Sequence, residues 1–137
     1  MLLESITRLN LYLKIIKFWF DGVDAVDLQV LLSAMYLKDY RYIDTLNITT
    51  DCIVINQCDD EGKMSILHNG RRIKFVSTKE RGLSKSRNMA ISLADADICI
   101  LCDNDVEYLS DYEATILEEF EKHPEYDIIV FFVKRNK

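Results

Sequence analysis

The stretch ADICILCDND, at residues 96–105, decides the fold of this chain. Its apolar part, residues 96–102, predicts a buried strand, and Asp103 and Asp105 follow where that strand ends. In open α/β sheets, ligands bind at the carboxyl ends of the strands. Carboxylate oxygens suit a hard cation such as Mg²⁺ or Mn²⁺, which also binds substrate phosphates. The stretch therefore predicts a sheet strand that ends in a candidate metal site, although Asp-x-Asp also occurs in ordinary turns.

The stretch GLSKSRNMAI, at residues 82–91, is predicted to join the preceding strand to a helix. Gly82 permits an unusual backbone angle, and the amino end of a helix attracts anions. We expect Ser84 to cap a helix over residues 84–94. Arg87 then lies in the first turn, where a cation gains nothing from the helix dipole. Its position indicates a ligand or a carboxylate partner, with an ordinary surface arginine as the alternative.

In this order and at this spacing, the two stretches resemble family 2 glycosyltransferases of the GT-A fold. That family typically shows G-x-S-x-A-R-N-x-G/A-I, a short gap, an apolar strand and then D-x-D. The resemblance covers residues 27–133. It implies an α/β, Rossmann-like GT-A half-fold, with a mostly parallel sheet flanked by helices. It also implies transfer of a sugar from a nucleotide-sugar donor, of the UDP type, in cell-surface polysaccharide or lipopolysaccharide synthesis.

The resemblance assigns a role to three charged residues of the two stretches. Asp105 is the expected ligand of Mg²⁺ or Mn²⁺, and Asp103 is expected to contact the ribose or the metal. Arg87 is expected near the nucleotide or its diphosphate. A metal at this position would neutralise negative charge on the leaving diphosphate.

Two earlier strand ends complete the implied nucleotide-sugar site. Ser33 and Met35 lie at the end of the first strand and loop, which meet the nucleotide in this family. Gln57 and Asp59 stand where the family carries an Asp-Asp-Gly-Ser run that contacts the base. Because this chain has Asn-Gln-Cys-Asp-Asp there, its base recognition does not follow from the resemblance.

The resemblance also implies parts that we expect this chain to lack. Family members continue past the strand predicted at residues 128–133 and supply an acceptor-binding half with an acidic general base. A general base must reach the acceptor proton, and Glu107, Asp111 and Glu113 are too close to the metal motif for that role. The catalytic residues and the acceptor stay unknown. The alternative to an enzyme is a non-catalytic nucleotide-binding or interaction module left by truncation.

The rest of the chain predicts strands that alternate with helices, a pattern typical of an α/β layer. Strands are predicted at residues 28–32, 52–55, 64–68, 73–77, 96–102 and 128–133, with a tight turn at Asn69-Gly70. Helices are predicted at residues 39–46, 84–94 and 111–122.

Residues 2–20 are predicted to form an extra apolar helix, because their polar residues recur at helical spacing in one narrow stripe. We therefore divide the chain into this helix, residues 1–22, and a nucleotide-sugar-binding domain, residues 23–137. A helix so apolar needs cover. Its own domain, a second copy in a homodimer and a membrane surface are the three alternatives.

Charge and length bound the class of protein. A chain of 137 residues predicts one domain, and a net charge of −6 argues against non-specific nucleic-acid binding. The charge is unevenly spread: residues 71–87 hold seven basic residues and one acidic, and residues 95–127 hold twelve acidic residues and one basic. If these segments meet, one side of a site holds phosphate and the other a cation.

The four cysteines and the lack of a visible secretory signal predict a cytoplasmic protein, with peripheral attachment at the inner face of the membrane as an extension. Cys99 and Cys102 are three residues apart on a predicted strand, so we expect them to face opposite sides and to pack in the core.

Two alternatives to the glycosyltransferase interpretation stay open. They are a haloacid-dehalogenase-type phosphatase and a phospho-acceptor receiver that uses Asp59 and Asp60.

Overall fold

The computed structural model of the chain describes residues 3–5, 12–17 and 26–135. Their strands are β1 Leu3–Ser5, β2 Tyr12–Lys17, β3 Leu28–Met35, β4 Asp51–Gln57, β5 Gly62–His68, β6 Arg71–Thr78, β7 Ile98–Asp103, β8 Val106–Glu107 and β9 Ile128–Arg135. Their helices are α1 Tyr42–Thr45, α2 Leu83–Leu93 and α3 Tyr112–Lys122. Within these residues, no helix combines the length and the hydropathy needed to cross a membrane.

The strands form one mixed sheet in the order β5-β6-β4-β3-β7-β2-β9-β1-β8. Four neighbouring strands, β6, β4, β3 and β7, run parallel to one another, so their carboxyl ends lie at one edge of the sheet. The register sets Ser33 beside Asp103, and Met35 beside Gln57. Residues far apart in sequence are therefore neighbours at this edge, as the predicted α/β fold requires.

Helices cover both faces of the parallel strands, because side chains alternate between the faces along each strand. On one face, Leu31 and Ile53 pack with Ala90 of α2. On the other face, Leu32 packs in a cluster that includes Ile116 of α3. The sheet is thus the middle layer of the fold, and strand residues are buried on both sides.

The cysteines pack in this core as predicted. Cys99 belongs to the cluster under α2, and Cys102 belongs to the cluster under α1 and α3, so the two side chains do face opposite sides. Burial raises the pKa of Cys99 to about 11 and that of Cys102 to about 12. Both thiols are therefore protonated at neutral pH, as befits packing residues.

The helix predicted over residues 2–20 is wrong for the part that the structure describes, where β1 and β2 are strands. β2 lies between β7 and β9 and pairs with both. A strand paired on both sides inside a sheet carries a nearly continuous apolar run, which a sequence pattern does not separate from a buried helix. The rest of the predicted helix, residues 2, 6–11 and 18–20, lies outside the described residues.

The elements predicted between residues 28 and 133 are confirmed in type and order, with three differences in detail. The N-cap of α2 is Gly82 and not Ser84. Gly82 is the last residue of the preceding loop and adopts a φ of 115°, and the helix begins at the next residue. The short helix predicted at residues 39–46 is confined to α1. The two-residue strand β8 was not predicted, since a strand so short has no period to detect.

Candidate functional site

A cleft of about 450 Å³ lies at the carboxyl ends of β3, β4 and β7. Five residues that the sequence singled out line it: Ser33, Met35, Gln57, Asp103 and Asp105. Ser33 and Met35 come from β3, Gln57 ends β4, and Asp103 ends β7. Parallel strands place their polar ends side by side, which explains why these residues meet.

Asp103 forms an ion pair with Arg87, the arginine that the sequence predicts in the first turn of a helix. Nη2 of Arg87, on α2, donates to Oδ1 of Asp103 at 3.2 Å, and both side chains are partly buried. The prediction that Arg87 has a carboxylate partner is confirmed. The basic segment around α2 and the acidic segment after β7 thus meet at this ion pair.

Two buried polar atoms beside this pair have no hydrogen-bond partner among the described residues. They are Oδ1 of Asp105 and Nε of Arg87. A buried acceptor without a donor, and a buried donor without an acceptor, each lose the hydrogen bond that water would supply. A ligand can supply both missing partners, since Oδ1 of Asp105 attracts a positive group and Nε of Arg87 attracts a negative group.

The donor set suits a divalent cation that shares its coordination with a ligand. Mg²⁺ usually takes one or two carboxylates and fills its remaining positions with water and substrate phosphates. Asp105 offers a free oxygen, and Asp103 offers oxygens that Arg87 already contacts. Within residues 3–5, 12–17 and 26–135, no three His, Cys, Asp or Glu side chains come together as a protein cage.

Two hydrogen bonds fix α2 against the strand ends. The Oγ of Ser86 donates to the Oγ of Ser33 at 2.7 Å, and this pair is buried. Nε2 of Gln57 donates to the carbonyl of Gly82 at 2.9 Å. The amide nitrogen of Gln57 therefore holds the amino end of α2 in place and stabilises the wall of the cleft.

Arg81 organises a second group of residues that sequence reasoning did not assemble. Its Nη1 donates to the carbonyl of Cys58 at 2.8 Å and to that of Lys79 at 2.9 Å. Its Nη2 donates to Oδ1 of Asp59 at 2.9 Å and to the hydroxyl of Tyr36 at 3.2 Å. The guanidinium also lies 5.5 Å from the centre of the Tyr36 ring. One cation thus joins the ends of β3, β4 and β6.

The predicted site residues do not all reach the cleft directly. Asp59 lines a neighbouring hollow with Tyr36 and contacts the cleft wall only through Arg81. Arg87 joins the site through Asp103. The signal for Arg81 and Tyr36 in the sequence is weak. Arg81 is one of several basic residues before α2, and Tyr36 is the residue after β3, where the chain takes a positive φ of 52°.

The sequence of the chain matches one protein family. The family model described as Glycosyl transferase family 2 matches residues 44–137. The matched part contains β4, β6, α2 and the turn with Asp103 and Asp105. Searches of curated proteins and of solved structures found no match.

Proposed function

The chain belongs to glycosyl transferase family 2, and on that premise we propose that it binds a nucleotide-sugar donor with Mg²⁺ or Mn²⁺ and transfers the sugar. The donor is a nucleotide sugar of the UDP type, and the pathway is cell-surface polysaccharide or lipopolysaccharide synthesis. Residues 23–137 are the donor-binding domain. The observation that carries the proposal is the buried Oδ1 of Asp105, which has no hydrogen-bond partner among the described residues and belongs to the lining of the cleft with Asp103, the partner of Arg87.

Each group around the cleft has a distinct part in this proposal. Asp105 holds the cation, with Asp103 as the second carboxylate or as the contact to the ribose. Arg87 supplies positive charge for the diphosphate through its Nε, which has no partner among the described residues. When bound, the cation supplies charge neutralisation to the leaving diphosphate.

The amino end of α2 supports binding of the diphosphate. Gly82 and Leu83 line the cleft where this helix begins, and the first backbone N–H groups of a helix favour an anion. The nucleoside then lies toward Ser33, Met35 and Gln57. Asp59 shapes that end through Arg81, so its proposed role in base recognition is indirect.

Removal of the free carboxylate tests the proposal. Calorimetry of wild type with UDP and Mn²⁺ is expected to show binding that is much weaker without the metal. Asp105→Asn keeps the side-chain size but removes the charge, so the gain from Mn²⁺ should fall by roughly tenfold or more. Asp127→Asn makes the same charge change at an exposed position and should bind as wild type does.

Two results contradict the proposal. One is wild type that binds no UDP with either metal. The other is Asp105→Asn that keeps the full metal dependence, because the cation would then lie elsewhere.

A non-catalytic nucleotide-binding module is the second candidate. Among the described residues that line the cleft, only Asp103 and Asp105 carry a carboxylate, and this favours the second candidate. Asp105 is assigned to the cation and Asp103 to the cation or the ribose, so neither is free to act as general base. Nucleotide binding without sugar transfer or donor hydrolysis selects this candidate, and turnover of the donor selects the enzyme.

The proposal extends to location and partners. The four cysteines are unpaired, which supports a reducing compartment such as the cytoplasm. A homodimer or a membrane-surface contact through residues 2–20 stays a prediction. This prediction rests on a continuous apolar helix, whereas the described residues of that segment form the strands β1 and β2.

A further inference from the structure

The short helix α1 contacts the turn that carries the two carboxylates. The hydroxyl of Tyr42, the first residue of α1, donates to the backbone carbonyl of Asn104 at 2.8 Å. Asn104 stands between Asp103, which ends β7, and Asp105. The hydrogen bond is partly buried and joins residues 62 positions apart in sequence.

A hydrogen bond to this carbonyl controls the placement of Asp105. The carbonyl of Asn104 and the nitrogen of Asp105 belong to one planar peptide unit. Fixing the oxygen therefore fixes the plane from which the Asp105 side chain departs. Oδ1 of Asp105 is buried without a hydrogen-bond partner in the described part of the chain, so no side-chain hydrogen bond from that part holds it.

The same region of α1 also holds the chain beyond the turn. The backbone N–H of Tyr108 donates to the carbonyl of Leu46 at 2.8 Å. Nδ2 of Asn47 donates to Oε1 of Glu107 at 2.8 Å. These two contacts anchor β8 and the residue after it, whereas Tyr42 is the residue of this region that reaches the turn itself.

We propose that Tyr42 is a positioning residue for cation binding, because its hydroxyl holds the Asn104–Asp105 peptide in the orientation that presents the Asp105 carboxylate to the metal. This inference rests on the proposed function, and it adds a residue that neither the resemblance nor the lining of the cleft identifies. Tyr42 does not touch the cation and acts through the backbone.

Tyr42→Phe is the direct test, since it removes the hydroxyl and keeps the ring in its packing. The affinity for Mn²⁺ is measured by calorimetry in the presence of UDP, alongside the affinity for UDP without metal. We expect Mn²⁺ affinity to fall roughly tenfold, the lower end of the loss found when residues that orient a metal ligand are removed. UDP affinity without metal should be unchanged.

Tyr40→Phe is the matched control. Tyr40 lies two residues earlier and packs edge-on against His68, with ring centres 5.2 Å apart. Its hydroxyl makes no hydrogen bond within the described residues, so its removal should leave both affinities at the wild-type value.

The outcomes separate this inference from the proposed function. If wild type binds UDP with Mn²⁺ and Tyr42→Phe binds equally well, the role of Tyr42 is wrong and the proposed function stands. If Tyr42→Phe loses metal-independent UDP binding to the same extent, Tyr42 supports the fold in general, and the positioning role is again wrong. If wild type shows no metal-dependent binding, the proposed function fails and the inference fails with it.

Discussion

Arg81 is the residue through which the nucleoside end of the cleft is built. Lysine at this position keeps the charge but has one nitrogen in place of a planar fork. It therefore cannot reach the carbonyls of Cys58 and Lys79 together with Asp59 and the Tyr36 hydroxyl. The contribution of Arg81 is thus one of geometry, and charge alone does not replace it.

We predict that Arg81→Lys weakens both stability and UDP binding. Several carbonyls lose a charged donor, and because the side chain is partly exposed we expect a loss of about 1–2 kcal/mol in the free energy of unfolding. UDP affinity should fall more than Mn²⁺ affinity, since Asp105 lies outside this network. Chemical denaturation and calorimetry measure the two effects. Lys85→Arg at an exposed position is the control, and equal UDP binding by Arg81→Lys would contradict the prediction.

The residues of the site differ in how far the sequence reveals them. Asp103, Asp105 and Arg87 could be predicted because each belongs to a local pattern next to a strand or a helix start. The contacts of Arg81 with Asp59 and of Tyr42 with Asn104 could not, since these partners are 22 and 62 positions away. Only the pairing of β6, β4, β3 and β7 brings those partners together, and that order is a property of the folded sheet.

At the scale of elements, one charged cluster ties α1 to the hairpin of β5 and β6. Oδ1 of Asp44 accepts from Nη2 of Arg71 at 2.7 Å, and its Oδ2 lies 2.8 Å from Nε2 of His68. Burial raises the pKa of Asp44, but the hydrogen bonds and charges of Arg71 and His68 outweigh it and the pKa is lowered. Arg71 also donates to the carbonyl of Ile48, so the cluster anchors both α1 and the chain that follows it.

A lowered pKa gives this cluster a defined dependence on pH. Asp44 binds a proton more weakly in the folded chain, so its contribution to stability is present above its ordinary pKa of about 4 and is lost as pH falls through the folded value. We predict that Asp44→Asn melts at a lower temperature than wild type at pH 7, and that the difference shrinks below about pH 4. Melting curves across this range measure it.

Asp127→Asn controls for the change of charge in this comparison, because Asp127 is exposed and forms no ion pair within the described residues. A difference between Asp44→Asn and wild type that stays constant down to low pH would show that packing, and not the ionised carboxylate, explains the loss of stability.

Element prediction succeeded where the period of the sequence was distinct and failed where it was not. α2 and α3 have polar and apolar sides, and β3 and β4 have short apolar runs that are followed by a polar residue, Ser33 or Asn56. β2 has the run YLKIIK, which suits a strand or a helix until its neighbours are known. Its assignment depends on pairing with β7 and β9, which is tertiary information.

At the scale of the whole molecule, the sheet divides the basic segment between its two edges. β6 runs from Arg71 to Thr78, so its first basic residues lie at the edge opposite the cleft. There Arg71 pairs with Asp44, and Arg72 pairs with Asp51. Arg81 and Arg87 follow the strand and lie on the cleft side. The sequence shows a basic and an acidic segment without saying whether they meet, and the strand direction determines which of their residues do so.

The cleft draws on strands that also form both halves of the core. β3 supplies Ser33 and Met35 to the cleft, Leu31 to the cluster under α2 and Leu32 to the opposite cluster. A ligand that joins the strand ends and α2 therefore stabilises the sheet and both helical layers together. Binding energy should appear as stability of the whole described domain, and not only of the loops that touch the ligand.

We predict that UDP with Mn²⁺ raises the melting temperature of the chain in a single transition. A ligand that binds only the folded state, at a hundred times its Kd, adds about 2.7 kcal/mol of stability. For a chain of this size that corresponds to a rise of several degrees. Scanning calorimetry with UDP, Mn²⁺, both together and neither measures it. Asp105→Asn should show a much smaller rise with the pair. Two separate transitions, of which the ligands shift only one, would contradict the prediction, because the cleft would then belong to a part that unfolds independently of the shared core.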